Sequence, residues 1–226
     1  MRWLTLFLCV LPLSDLAAQD VPYGLEAVTS VRSSYVYRGF DLASTTLEAQ
    51  LAAEITLKED HYLGVGFYHL AAGSDRFRHT GAYLDYRLAV NDDLSWTNSL
   101  NYQSFTGGPF DTGLEVQTAL DYQLTEDASL RSLLLYDFQT SGFFGSTEAT
   151  SSHALDESSF LVGTIGLSYL TDYYERSGLN AAYARASYTY GLTNSISLSP
   201  FVGLSLDLSS EESDHLWAGL HFEVFF

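Results

Sequence analysis

The chain closes on HLWAGLHFEVFF (residues 215–226), a run in which two kinds of residue alternate. Leu216, Ala218, Leu220, Phe222, Val224 and Phe226 are apolar, while His215, Gly219, His221 and Glu223 fall between them with Trp217 and Phe225. Period two is the repeat of a β-strand, whose side chains point alternately to opposite faces. The run therefore reads as a strand with one greasy and one polar side, and its last residue, Phe226, lies on the greasy side. Either a protein core or a lipid phase must cover that side, and the rest of the chain decides which.

The same alternation recurs upstream. Leu47, Ala49, Leu51, Ala53, Ile55 and Leu57 oppose Glu48, Gln50, Glu54 and Lys58. Leu114, Val116, Thr118, Leu120, Tyr122 and Leu124 oppose Glu115, Gln117, Asp121 and Gln123. Ala82, Leu84, Tyr86, Leu88 and Val90 oppose Asp85 and Arg87, and Ala128, Leu130, Leu134, Tyr136 and Phe138 oppose Arg131 and Asp137. No apolar face carries a charge. Strands of this length exceed the usual globular strand and match the ~9–11 residues that cross a bilayer at a tilt.

Four segments share a leucine, five residues, then a second leucine: LKEDHYL (57–63), LAVNDDL (88–94), LTEDASL (124–130) and LTNSISL (192–198). In three of them a tyrosine stands two residues before the first leucine, at Tyr86, Tyr122 and Tyr190. The intervening Asp, Asn, Glu, Ser and Thr suit tight turns, so each segment reads as a hairpin, all at one end. The connections between hairpins, residues 38–45, AAGSDRFRH (71–79), TGGPFDTG (106–113) and DLSSEESD (207–214), are richer in Gly, Ser, Asp and aromatics. Short turns at one end and longer loops at the other describe a bacterial outer-membrane barrel, with the tyrosines as an interfacial girdle. A soluble β-sandwich also alternates, but does not require a tyrosine at fixed spacing before its turns.

The expected fold is thus all-β, a transmembrane antiparallel up-and-down barrel with short periplasmic turns and longer extracellular loops. Termini on the periplasmic side demand an even strand number. SFLVGTIGLSYL (159–170) is one strand; if 141–155 hides a polar one the barrel has twelve, the favoured count, and otherwise ten.

The amino-terminal residues fit an exported protein. Arg2, an apolar run from Trp3 to Leu13, then Ala17 and Ala18 before Gln19 lay out a secretory signal peptide over 1–18, leaving 19–226 as the barrel. Cys9 sits inside the apolar run behind Leu8, which is not a lipidation context, and it is the only cysteine. The mature chain therefore has no disulfide, thiol nucleophile or thiolate metal site. A formal net charge of −18 without a basic patch excludes nucleic acid as a partner. The partners expected are outer-membrane lipid and lipopolysaccharide, and the outer-membrane insertion machinery, which would read a terminal signal at Phe222, Val224 and Phe226.

The segment SSYVYRGFDLAS (33–44) resembles the start of the Gcw_chp family of outer-membrane proteins of unknown function, whose members carry an aromatic-x-Arg-Gly motif, although here the aromatic adjoins the arginine. Tyr37, Arg38 and Gly39 stand at those positions here, and YYERSGLNAAYARASYTYGLT (173–193) extends the resemblance loosely. It implies a barrel and no known activity.

Candidates for chemistry are sparse. His215, His221 and Glu223 lie on the last strand, His69 and His79 near an outer loop, and Asp214 adjoins His215. A lipid A-modifying site would need its His and Ser at the outer, lipid-facing edge, whereas His221 lies inward near the periplasmic end. The acids of DLSSEESD lack the ordered ligand spacing and glycine of a calcium loop, and read as a solvated loop. No catalytic residue, cofactor site or metal site is assigned. The inward charges say more: Arg32, Arg38, Glu48, Glu54, Asp85, Arg87, Glu115, Asp121, Arg131, Asp137, Arg185 and Glu223, with Glu26 and Lys58. Both signs in a narrow barrel should pair, because an unpaired charge in a low-dielectric interior is costly. The functional expectation is a non-enzymatic barrel, structural or a narrow channel with a charge-paired, cation-favouring lumen. A lipid A-modifying enzyme and a loop-mediated adhesin or receptor are the alternatives.

Overall fold

A computed structural model describes residues 23–73, 76–209 and 213–226. The expected signal peptide over 1–18, with Cys9, and the acids Glu211 and Glu212 lie outside the described residues. Twelve strands follow one another: β1 (Tyr23–Tyr37), β2 (Phe40–Lys58), β3 (His61–Ala72), β4 (Arg78–Ala89), β5 (Leu94–Thr106) and β6 (Gly113–Thr125), then β7 (Ala128–Asp137), β8 (Gly142–Ala154), β9 (Ser159–Tyr173), β10 (Arg176–Thr193), β11 (Ile196–Asp207) and β12 (His215–Phe225). Each pairs antiparallel with its sequence neighbour, and β1 pairs with β12, which closes the barrel. The polar segment 141–155 is the strand β8, so the count is twelve and not ten. Its Gly, Ser and Thr residues satisfy the ladder without an apolar stripe, which is why alternation shows it so weakly.

The lipid face is the face read from the sequence. Leu51, Leu84, Leu120, Leu134, Ile165, Leu216 and Phe226 are all exposed, Leu216 and Phe226 at 71%. A continuous apolar surface of this kind is stable only against hydrocarbon. Tyr86, Tyr122 and Tyr190 project onto it near the turns. The four leucine-framed hairpins, joined by a fifth at 155–158, form the end at which β1 begins and β12 finishes. The opposite connections differ from the expected loops. Residues 107–112 are a loop, and β3–β4 and β11–β12 are joined through segments only partly described, but β1–β2 and β9–β10 are joined by two residues each. Segment 38–45, expected as a loop, is the turn Arg38–Gly39 followed by the start of β2. Arg38 and Gly39 adopt φ of 53° and 87°, the pair of left-handed conformations that a type I′ hairpin requires.

The interior is narrowed by a repeated device. Five lumen-facing glycines each lie across the ladder from an aromatic whose ring rests on the bare backbone: Gly66 under Tyr83, Gly81 under Tyr68, Gly166 under Tyr183, Gly203 under Trp217 and Gly219 under Phe201. Without a Cβ the ring lies flat on the wall, an arrangement that also shields weak glycine ladder positions.

Candidate functional site: a plugged lumen

The tip of the β1–β2 hairpin leaves the wall. Pairing of β1 with β12 stops at Arg32–Gly219, and pairing of β2 with β3 stops at Thr46–Ala72. A last backbone bond runs from the Gly73 amide to the Thr45 carbonyl at 2.8 Å; beyond it residues 33–44 form a two-stranded ribbon without ladder partners on either edge, kinked by a bulge at Tyr35/Val36. A bulge sharpens twist and bends a strand, and here the ribbon enters the outer mouth. Tyr35, Phe40 and Ala43 are buried against Leu70, Phe77, Phe110, Leu135, Phe144, Leu170 and Tyr173 of the surrounding wall and loops. Tyr37 packs edge-on against Phe110 at 5.5 Å, and Phe40 does the same at 5.0 Å. His79 stacks on Phe105 at 4.0 Å and bonds the Tyr35 hydroxyl at 2.7 Å, while Arg176 covers Phe40 from above at 4.1 Å. The tyrosines and phenylalanines of the outer end are therefore a plug as well as a girdle. Sequence reasoning missed this, because an inward aromatic and an outward one look alike when the strand bends out of its wall.

Arg38 holds the plug in place. Its guanidinium meets the Glu115 carboxylate of β6 bidentately at 2.5 and 2.8 Å, donates to the Tyr173 hydroxyl and lies over the Tyr37 ring at 4.6 Å. The side chains of Arg38 and Glu115 are 12% and 5% exposed, so the pair is dry. Asn180 of β10 donates to the Arg38 carbonyl at 2.8 Å and packs so closely on Gly39 that any Cβ there would overlap it. Tyr174, in the β9–β10 turn, packs on Phe110 at 4.4 Å and accepts from the Asp111 amide; burial pushes its hydroxyl pKa up. Under the ribbon, a cavity of about 210 Å³ separates Val36 and Arg38 from Phe144, Tyr183 and Trp217.

The remaining inward charges distribute unevenly. Arg32 pairs with Glu48, Arg87 with Glu54 at 2.6 Å and Arg131 with Asp121 at 3.1 Å. These three pairs grow more hydrated toward the periplasmic mouth, where a recess of about 450 Å³ is lined by Glu26, Glu54, Tyr83 and Asp85. Asp137 is not part of an arginine pair: it accepts from the Gln139 and Thr140 amides and caps the β7–β8 turn. Asp85 takes a hydrogen bond from Ser99, and Glu223 from Ser197 at 3.0 Å beside Glu26. Glu148 also turns inward, within 3.4 Å of the Tyr183 hydroxyl, and was hidden in the polar strand β8. Lys58 is exposed at the periplasmic turn. His69 faces outward and bonds Thr80, and His215 meets Asp41 of the ribbon at 3.4 Å. Asp214 bonds the Asp207 amide instead of a histidine. Among the described residues no cluster of three or more His, Cys, Asp or Glu could hold a metal.

The fold is shared with solved outer-membrane barrels. The KdgM porin superposes with a TM-score of 0.58 at 10% identity, over 90% of this chain and 99% of that one. An outer membrane channel from Pseudomonas putida F1 gives 0.58 at 11%, over 94% and 98%. LpxR from Salmonella typhimurium gives 0.59 at 8%, over 90% and 100%. At these identities the likeness is one of fold. No protein-family model and no curated protein matches the chain, so the Gcw_chp resemblance gains no support. The chain is a closed twelve-stranded antiparallel β-barrel, the fold of these outer-membrane barrels.

Proposed function

We propose that the protein is a non-enzymatic, narrow channel whose outer mouth is shut by the ribbon 33–44 and opens when that ribbon leaves the lumen. The observation that carries this reading is the ribbon's detachment from both neighbouring strands. A plug without ladder bonds to the wall can move without breaking the barrel. Tyr37 Oη and Asn180 Oδ1 are buried in the plug interface with no hydrogen-bond partner, an unfavourable feature that displacement relieves. On this reading Tyr37, Arg38 and Gly39 are the plug's tip, the same residues that carry the Gcw_chp resemblance. Porin and channel neighbours support transport, and acids outnumber bases at the periplasmic mouth, which favours cations in any residual current.

The test is planar-bilayer recording of the parent beside Gly39→Val. The substitution strains φ at 87° and collides with Asn180, so the ribbon cannot dock. Small, rare openings in the parent and large steady ones in the variant are expected. Large steady openings in the parent, or a folded Gly39→Val that stays shut, sink the proposal.

Lipid A modification is the second reading, favoured by the His215–Asp41 pair at the outer rim. Lipid A mass spectra from a deletion strain test it. An adhesin role finds less to work with, since β1–β2 and β9–β10 are joined by two residues each and the β5–β6 loop runs only from 107 to 112.

A further inference from the structure

Four of the five lumen arginines have a carboxylate: Glu48, Glu115, Glu54 and Asp121 serve Arg32, Arg38, Arg87 and Arg131. Arg185 of β10 is the exception. Among the described residues no acid lies within ion-pair distance of it. Its guanidinium rests on the Phe201 ring at 4.5 Å and approaches His221 Nε2 at 3.3 Å, and the charged group that bears on it is another cation, Arg32. Arg32 and Arg185 also face His221 together. The residue is exposed although it points into the barrel, so this part of the lumen is open to water. Phe201 makes a shelf because it lies flat on Gly219, and Arg185 is fixed on that shelf by stacking instead of by a carboxylate.

A guanidinium presents its donors as a fork that matches a carboxylate in two parallel hydrogen bonds. One edge of the Arg185 fork faces His221, whose neutral ring accepts, and the other N–H groups remain for a ligand. Ser30, Thr189 and Ser199 line the adjoining wall; Ser199 is directly opposite His221 in the ladder, and so is Ser30 on the other side. We infer that Arg185, with Phe201 as its shelf and His221 beside it, is a docking station for the carboxylate group of a small solute that enters from the periplasmic mouth. The outer route is filled by the aromatic plug, so the station serves the periplasmic side of a closed barrel. This inference rests on the part of the channel reading that makes the lumen reachable from the periplasmic mouth, and it concerns occupancy and not flux through the barrel.

The test is arginine-selective 15N spectroscopy of the barrel in nanodiscs at constant ionic strength, titrated with potassium acetate, glycine or methylammonium chloride. Acetate and glycine, which share the carboxylate, should each produce a saturable shift at Arg185 Nε and at the His221 ring. Arg87 and Arg131 should stay unmoved, and methylammonium should do nothing. Arg185→Gln, which strands no acid partner, should abolish the His221 response, and Arg185→Lys should keep it with affinity lower by about tenfold or more. No saturable shift with either carboxylate, equal shifts at every lumen arginine, or a His221 response that survives in Arg185→Gln would each overturn the station. Conductance recorded on the same samples separates the two readings. Saturable binding in a barrel that never conducts removes the channel and keeps the station, and conduction without binding does the reverse.

Discussion

Replacing Glu115 by alanine asks the most of the plug. In the parent, two hydrogen bonds join opposite charges whose side chains are 12% and 5% exposed. Removing one partner of such a buried pair costs about 3–5 kcal/mol, because the remaining charge keeps its desolvation penalty without its counter-charge. Tyr173 still accepts from Arg38, but a neutral hydroxyl does not replace a carboxylate. The protein has one escape: the ribbon can swing out and return Arg38 to water, giving up its aromatic packing. The measured loss of stability is then the smaller of the two penalties, and the difference appears as opening. A closed state weakened by about 3 kcal/mol raises the open-to-closed ratio by roughly a hundredfold. Urea unfolding in detergent and single-channel open probability, measured together, give both numbers. The companion Arg38→Met with Glu115→Leu replaces the pair by apolar groups of similar bulk and should stay near the parent in stability and closed. A Glu115→Ala barrel with unchanged unfolding and an open probability within tenfold of the parent would refute the idea that this ion pair holds the ribbon.

Three further outcomes are expected. Leu51→Arg puts a charge against lipid and should cost roughly 2–4 kcal/mol near the midplane, while its neighbour Gln50→Arg points into the lumen and should cost much less; equal losses would mean the facing is wrong by one residue. Deleting Phe226, or replacing it with Asp, should slow assembly and leave degraded or periplasmic protein, read as loss of the heat-shiftable band on detergent gels; unaltered assembly kinetics would remove it from the insertion signal. In the β8–β9 turn, hydrogen bonds from Ser159 and Ser158 hold the Asp156 carboxyl below its ordinary pKa. Its contribution is present above the unfolded carboxylate pKa of about 3.9 and fades as pH falls through the lower folded value. The protection factor of the Ser158 amide, its exchange rate relative to the intrinsic rate at each pH, should fall on acidification across that range in the parent and stay level in Asp156→Ala.

What could be read from the residues depended on whether a strand stays in its wall. Along β6, β12 and β2 from Leu47 onward, one face meets lipid, so alternation reports burial faithfully and Leu51, Leu120 and Leu216 fall where periodicity puts them. Alternation has no hold on β8, where Ser146, Thr147 and Thr150 suit either face, and Glu148 went unnoticed with it. Around Tyr35 the period itself breaks: the bulge shifts register and the ribbon turns inward, so Tyr35, Tyr37 and Phe40 all face protein although their spacing cannot belong to one face of a flat strand. The charges behave similarly. Opposite signs on neighbouring strands, as at Asp121 and Arg131, are close in a simple hairpin. The Arg38–Glu115 pair spans 77 positions and the width of the lumen, and no local pattern announces it.

The short contact between β1 and β12 has a mechanical meaning. The barrel is a belt whose buckle is seven residue pairs long, from Glu26–Phe225 to Arg32–Gly219, where β1 and β2 share fourteen. Above Gly219 the inner edge of β12 has lost its ladder partner. The backbone amide of Ala218 is met by the Ser33 hydroxyl at 3.0 Å, and His215 reaches Asp41 across the gap. Tension applied to the barrel, by lateral membrane pressure or by a machine extracting it, would concentrate on this line, because every other joint has more rungs to share it. Val224 and Phe222 stand within the buckle, opposite Ala27 and Thr29, and the Phe226 amide extends it by one bond to the Leu25 carbonyl at 2.9 Å, so the terminal aromatic adds a rung to the joint that has fewest.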